Sequence, residues 1–363
     1  VFNIRESKAK IAHYWTWSEI KPLKDYIDET EVAEELGRLF RESVQKRVKK
    51  NERIGITLSG GLDSRAILAA MPDDYKPLHT FTFGQEGCDD IKIAMRAAAV
   101  KGAVHHALIL KSDNWLLPRV GGIWKSDGSF SLLHMHGIEF YDEYRIYVDI
   151  MLNGFLGDAI LGGSYIVNHQ CVEYSLRNRG RRFINQSLVL LEAWVTTRRP
   201  FFDNKMIDLI LSKPEEIRRE SYIYNKMLLR TFPNYYVNIP WQKTGCPISY
   251  PNALIKTLVF KNRVVERLKR ELGRIKIKYN DLHNYTRYAE WLRQEPARSF
   301  FESVLTAKSA LYPAFIQKAK VQSYLKHHLQ NKADYSNELC LALTFEIFLQ
   351  QVFESNYRNG INE

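Results

Sequence analysis

Six consecutive residues, Ser59-Gly60-Gly61-Leu62-Asp63-Ser64, combine two glycines, two hydroxyls and one acid in an order that suits phosphate chemistry. Ahead of them, Ile54-Gly55-Ile56-Thr57-Leu58 is a β-branched apolar run that reads as a buried strand. Behind them, Ser64 to Met71 is helix-forming and is closed by Pro72. A strand that turns through glycines straight into a helix leaves backbone N–H groups unpaired and aimed at one spot, where the helix dipole adds positive potential. Gly60 and Gly61 let the main chain approach an anion without a Cβ in the way, and Ser59 and Ser64 add hydroxyl donors. Asp63 is an acid beside the expected phosphates, a role that makes sense as a ligand for their Mg²⁺. The spacing is not the Gly-x-x-x-x-Gly-Lys of a Walker loop. The bland alternative is a strand–turn–helix built from small residues.

The elements around this loop set the fold class. His79 to Gly84 reads as a second strand, Ile91 to Val100 as a helix, His105 to Leu110 as a third strand and Arg145 to Leu152 as a fourth. Strands alternating with helices predict an α/β fold, a parallel sheet with helices on both faces. Ligands of such sheets lie at the carboxyl ends of the strands, which places Gly84, the loop 153–158 and the Ser59 loop around one crevice. Upstream, Val32, Leu36, Leu39, Phe40, Val44 and Val48 recur at helical spacing in a helix expected over Glu31–Lys50. From about residue 171 the pattern is mostly helical, ending in an apolar stripe over Glu338–Phe353. Three portions result: a lead-in over 1–30 with the strand-like aromatic stretch Ile11–Trp17, an α/β portion over 31–170 that carries the phosphate-suited loop, and a helical portion over 171–363.

The composition is that of a globular chain: 363 residues, 45% hydrophobic and 26% charged. No apolar run reaches spanning length and Val1-Phe2-Asn3-Ile4-Arg5 lacks the layout of a signal peptide, so a cytoplasmic protein without membrane contact is expected. Cys88, Cys171, Cys246 and Cys340 are far apart, with no Cys-x-x-Cys, which argues against a zinc ribbon or a dithiol centre. A net charge of +11 favours phosphate-bearing partners or an anionic substrate, or else reflects solvated helix faces.

The Ser-Gly-Gly-Leu-Asp-Ser string resembles the pyrophosphate loop of the ATP pyrophosphatases. Leu152-Asn153-Gly154-Phe155-Leu156-Gly157-Asp158-Ala159-Ile160-Leu161-Gly162-Gly163 resembles the Leu-Ser-Gly-Glu-Gly-x-Asp-Glu-x-x-Gly-Gly signature of the asparagine synthetase C-terminal domain. Arg199-Pro200-Phe201-Phe202-Asp203, with Leu211-Ser212-Lys213-Pro214 after it, is similar to that family's Arg-x-Pro-Phe-Leu-Asp and Leu-Pro segments. Phe232-Pro233 followed by Ile239-Pro240-Trp241-Gln242-Lys243-Thr244-Gly245 resembles the stretch carrying the family's active-site lysine, and Tyr14-Trp15 resembles the start of these domains. The likeness covers roughly residues 12–250 in family order. The family includes asparagine synthetase, β-lactam synthetase and the cyclases of lasso peptides, which join a carboxylate to an amine through an acyl-adenylate.

This resemblance implies an adenine nucleotide alpha hydrolase-like (HUP-type) fold and an ATP-dependent, AMP-forming amide-bond ligase. It implies that Ser59, Gly60, Gly61 and Ser64 hold the departing pyrophosphate, with Gly154 beside them. Asp63 and Asp158 would bind Mg²⁺, Phe83 and Gly84 would lie along the adenine, and Lys243 would stabilise charge growing on the phosphates or the tetrahedral centre. The implied partners are a small-molecule or peptide carboxylate and an amine or ammonia donor. Phe155 and Ala159 depart from the signature, standing where it has glutamates. An aromatic ring cannot take a proton, so a product other than asparagine is expected. The family's glutamine-hydrolysing half begins with a cysteine, and none precedes Cys88. Either that half was removed from a longer protein, or nitrogen comes from ammonia, a separate subunit or the substrate's own amine.

Two other readings compete: an adenylase acting on tRNA, and a degenerate nucleotide-binding subunit. For the first, Arg177-x-Arg179-Gly180-Arg181-Arg182 and the basic run 261–278 would grip nucleic acid, although the downstream motifs disfavour it. The pairs His134-x-His136 and His105-His106 are read as structural, Ser126-Asp127-Gly128-Ser129 as a turn, and Cys88-Asp89-Asp90 as a helix opening.

Overall fold

A computed structural model describes residues 2–5, 8–11, 20, 28–164, 172–273 and 282–358. Strands β1 (Phe2–Arg5) and β2 (Lys8–Ile11) form an antiparallel pair; Tyr14-Trp15 and the rest of the aromatic stretch 12–17 lie outside the described residues. Helix α1 (Glu29–Gln45) is capped by Asp28, whose carboxylate accepts from the N–H groups of Thr30 and Glu31. Its buried stripe is the one the spacing predicts, but the helix stops at Gln45 and the basic run 46–50 lies in turns beyond it.

The alternation that follows is α/β. Strand β3 (Ile54–Thr57) leads into α2 (Asp63–Ala70), β4 (His79–Gly84) into α3 (Asp89–Lys101), and β5 (Val104–Ile109) follows. After α4 (Leu117–Lys125) and α5 (Tyr141–Tyr147) come β6 (Ile150–Leu152), α6 (Gly157–Ile160) and β7 (Thr196–Arg198). The five strands β3–β7 are all parallel and lie in the order β5-β4-β3-β6-β7. The chain winds outward from β3 to β5, then returns to place β6 on the other side of β3. The strand order therefore reverses between β3 and β6, where the loops after the two strands diverge and leave a crevice.

Two differences from the sequence reading concern the return. The stretch expected as a strand from Arg145 is helical as far as Tyr147, and only Ile150–Leu152 is strand. Tyr141 and Tyr144, one helical turn apart, bury their rings against Trp194 and Phe81, while Ile146 is 65% exposed. Burial on one helical face outweighs the alternating pattern. Strand β7 lies within the portion read as helical. Three residues, with Thr196 exposed, are too few to show a period.

The sheet separates two apolar cores. Ile150 and Leu152 face the core shared with α1, α2 and α3; Met151, between them, faces the core shared with α4, α5 and the final helix Ser336–Phe353. That alternation is the period of two of a strand buried on both faces. The second core encloses an ion pair, Arg119 Nε to Glu139 Oε1 at 2.5 Å, with both side chains essentially inaccessible. Arg119 also donates to the Leu132 and Leu133 carbonyls and to the Tyr288 hydroxyl. Removing one partner leaves a buried charge uncompensated. Arg119→Met is expected to cost about 3–5 kcal/mol of unfolding free energy in denaturant titration; a loss below about 1 kcal/mol would contradict this role.

Candidate active site

Strand β3 ends where Leu58 donates its N–H to the Phe81 carbonyl, and the chain then turns into α2. The turn is held from within. Ser59 N–H donates to Ser64 Oγ (3.0 Å), Gly61 N–H to Ser59 Oγ (3.2 Å), and Gly60 N–H to Asp90 Oδ1 (2.9 Å). The amides expected to be unpaired thus carry side-chain acceptors, as a partly buried N–H group must in some form. Burial, more than any neighbouring charge, raises the pKa of Asp90.

Asp63 starts α2 and joins the two strand-end loops. Its Oδ2 accepts from the Asp158 N–H at 2.8 Å and its Oδ1 from the Tyr224 hydroxyl at 2.8 Å. Close approach depends on glycine at two positions: a Cβ on Gly154 would fall 2.9 Å from Asp63 Cβ, and one on Gly157 would fall 2.6 Å from its Cγ. Burial first, and the Asp158 charge second, push the Asp63 carboxyl up to about 7.

A third segment closes over the loop. Arg65, fully buried on α2, donates to the carbonyls of Gly60 (3.0 Å), Tyr235 (3.2 Å), Ile239 (3.1 Å) and Pro240 (2.7 Å). The Gln242 N–H donates to the same Gly60 carbonyl and the Tyr236 hydroxyl donates to the Leu62 carbonyl. These bonds fix the turn at Trp241–Cys246, from which exposed Lys243 holds its ammonium 5.0 Å from the centre of the Trp241 ring.

The three segments border one cavity of about 630 Å³. Ser59, Gly61, Asp63, Ser64, Phe83, Gly154, Asp158 and Lys243 all line it. Gly60 and Gly84 do not appear in its wall: Gly60 is turned toward Asp90 and Gln242, and Gly84 packs against Cys88 and Tyr285. Phe155 borders the cavity, stacks on Phe202 at 5.6 Å and carries the Arg199 guanidinium 5.5 Å from its ring; Ala159 is buried in the core. Asp90, Tyr224, Tyr285 and His136 also line the wall, and Arg65 braces it from behind. None was among the site residues predicted from the motifs. His136 and Asp90 are visible in the sequence, in a histidine pair and at a helix opening, but read there as structural.

A hydrogen-bond chain runs through His136. Arg119 donates to the Tyr288 hydroxyl (2.7 Å), which in turn is hydrogen-bonded to His136 Nδ1 (2.9 Å), and His136 Nε2 is hydrogen-bonded to the Tyr285 hydroxyl at 3.0 Å. Burial, then the Arg119 charge, keep His136 neutral, its pKa well below the ordinary value.

Among the described residues the charged groups of the wall are Asp63, Asp90, Asp158 and Lys243. This acid-rich set fits a hard divalent cation: Mg²⁺ is held by one or two carboxylates with phosphate and water completing its shell. A cation between Asp63 and Asp158 would relieve the repulsion that raises Asp63. Among the described residues no group of three or more His, Cys, Asp or Glu is placed to hold a metal, so the histidine pairs form no such centre. His105 pairs with Thr80 at 2.9 Å and His106 with His79 at 3.0 Å, both across β4 and β5. The tyrosine and histidine network likewise ties His136 into the wall.

The family model of asparagine synthase matches residues 35–190. The glutamine-hydrolysing asparagine synthetase of Gallus gallus is 28% identical over 214 residues, 53% of this chain and 38% of that protein. A putative asparagine synthetase of Methanocaldococcus jannaschii is 27% identical over 172 residues, 45% of this chain and 32% of that protein. A putative asparagine synthetase of Mycobacterium tuberculosis is 31% identical over 135 residues, 36% of this chain and 20% of that protein. The chain thus spans well under half the length of these relatives. Among the described residues no helix is long and apolar enough to cross a membrane.

The raised Asp63 carboxyl has a consequence for stability. Folding takes up a proton between the ordinary 3.8 and about 7, so this group's contribution falls as pH rises through that window. Without ligand, Asp63→Asn should melt above the wild type at pH 8, with the gap narrowing toward pH 4. Calorimetric scans of the two proteins check this, and an equal gap at both pH values would refute it.

Proposed function

Because residues 35–190 match the family model of asparagine synthase, we propose that the chain is an ATP-dependent, AMP-forming ligase that joins a carboxylate to an amine. The observation carrying this reading is the convergence of the Ser59–Ser64 loop, the Gly154–Asp158 loop and Lys243 on one cavity where the strand order reverses. A carboxylate oxygen attacks the α-phosphorus of ATP, the bond to the β-phosphate breaks, and the mixed anhydride is then opened by the amine with loss of AMP.

The loop amides and the Ser59 and Ser64 hydroxyls exchange their internal acceptors for the oxygens of the outer phosphates. Lys243, held over the loop by the Arg65 and Gln242 contacts, meets the negative charge that grows as pyrophosphate departs. Bound Mg²⁺, held by Asp63 and Asp158, would supply charge neutralisation for the pyrophosphate. Phe83 and the Tyr285 hydroxyl stand on the β4 side of the wall, where adenine would lie along the strand end. With Phe155 replacing the signature acid, no carboxylate is offered there to deprotonate the acceptor, so the acceptor reacts as a neutral amine and product formation should favour alkaline pH.

Exchange of labelled pyrophosphate into ATP, dependent on an added carboxylic acid, tests the first half-reaction. Asp63→Ala should abolish exchange, and Lys243→Ala should lower it about 10²-fold or more. Wild-type rates in both variants would refute the assignment.

A further inference from the structure

Beyond the phosphate loop the cavity changes character. Its wall passes from Phe155 and Leu156 to Phe183, Leu188, Leu191 and Phe130. Phe183 makes edge contacts with Phe130 (5.5 Å between centroids) and His134 (5.0 Å), so the aromatic side chains form one continuous surface. Gly180 lies against Leu156, bringing the helical segment Leu176–Ile184 beside the loop that carries Asp158. The apolar wall therefore begins beside the metal-site carboxylate and runs away from it.

Among the described residues no charged side chain lines that end. The single cation of the wall among the described residues, Lys243, is tied to the Gly60 side of the cavity. Arg199 sits on the Phe155 ring and pairs with Glu192 at 2.7 Å. His134 is held neutral, its pKa lowered by burial and then by the Arg119 charge. A substrate with a second carboxylate, as aspartate has, would bury that group against aromatic and aliphatic carbon at this end. Such a desolvated charge without a partner is disfavoured.

We propose that the acid activated here is a monocarboxylic acid with an apolar, aryl or alkyl body, seated on the Phe130–Phe183–Leu188–Leu191 wall with its carboxylate toward Asp158 and the phosphate loop. The proposal rests on the ligase reading and names the substrate class of the same site. Phe183 is its specificity-determining residue: it is 39% exposed, so replacing it leaves the core intact, and its ring is central to the aromatic surface.

The test uses the whole chain with 3-phenylpropanoate, octanoate, aspartate and phenylsuccinate as probes, each in pyrophosphate exchange with Mg-ATP. Binding of Mg-ATP alone is measured in parallel by calorimetry. Exchange with 3-phenylpropanoate or octanoate should exceed that with aspartate by at least about 10-fold, the scale of a hydrophobic contact. Phe183→Ala should raise the KM of the apolar acids about 10-fold while leaving the Kd of Mg-ATP unchanged. Phe183→Arg should supply the missing cation and shift selectivity toward phenylsuccinate. Preference for aspartate overturns the proposal, as does a Phe183→Ala variant that weakens nucleotide binding instead. If Mg-ATP binds and no apolar acid supports exchange, the proposal fails alone; if Mg-ATP does not bind, the ligase reading fails and takes it along.

Discussion

The site depends on a buried guanidinium. Among the described residues Arg65 has no acid partner; its charge is answered by four main-chain carbonyls and by the face of Tyr236, 5.3 Å away. One of those carbonyls belongs to the phosphate loop and the other three to the segment 235–240 that leads to Lys243. A planar fork of donors can tie two main-chain segments in one geometry, which a lysine ammonium cannot do. The two segments are 170–175 residues apart in sequence, and Arg65 makes them one rigid piece. Burial lowers its pKa, yet an arginine stays charged. Its charge thus adds to the positive potential behind the loop amides.

On the opposite side of the loop the charges are negative. Asp63 is shared between Tyr224 and the Asp158 N–H, and its own pKa is lifted first by burial and then by the Asp158 charge. A fold that places two carboxylates together at such a site carries a stability cost that bound cations relieve. The cost is local and the sheet bears it. Strands β3 and β6 are buried on both faces, and the two apolar cores they separate hold the loop stems in register.

Much of this was legible in the sequence because it is local. The strand–glycine–helix order of 54–71, the alternation through β5 and the stripe of α1 all follow from short-range pattern, and each element lies within a few residues of its expected bounds. The motif segments 59–64, 153–158 and 241–243 do meet at one cavity. What the sequence hid is what only long-range contact creates. The pairing of Asp90 with Gly60, of Tyr224 with Asp63 and of Arg65 with Pro240 joins residues 30, 161 and 175 apart. β7 was too short to announce itself, and α5 was disguised by an alternating pattern whose exposed member, Ile146, faces out. The amides of Ser59, Gly60 and Gly61, expected to be bare, carry acceptors from the chain itself, because a folded protein pairs its N–H groups with whatever lies within reach.

The central claim is that the turn after β3 grips the outer phosphates of ATP while Arg65 holds Lys243 above them. A crystal structure with magnesium and α,β-methylene-ATP, whose carbon bridge resists cleavage at the α-phosphorus, tests it directly. The account predicts the β- and γ-phosphates within hydrogen-bond distance of the amides of residues 59–64, a cation shared with Asp63 and Asp158, and the Lys243 ammonium on the phosphate oxygens. A nucleotide bound elsewhere, or a phosphate loop still closed on its own acceptors, would contradict it.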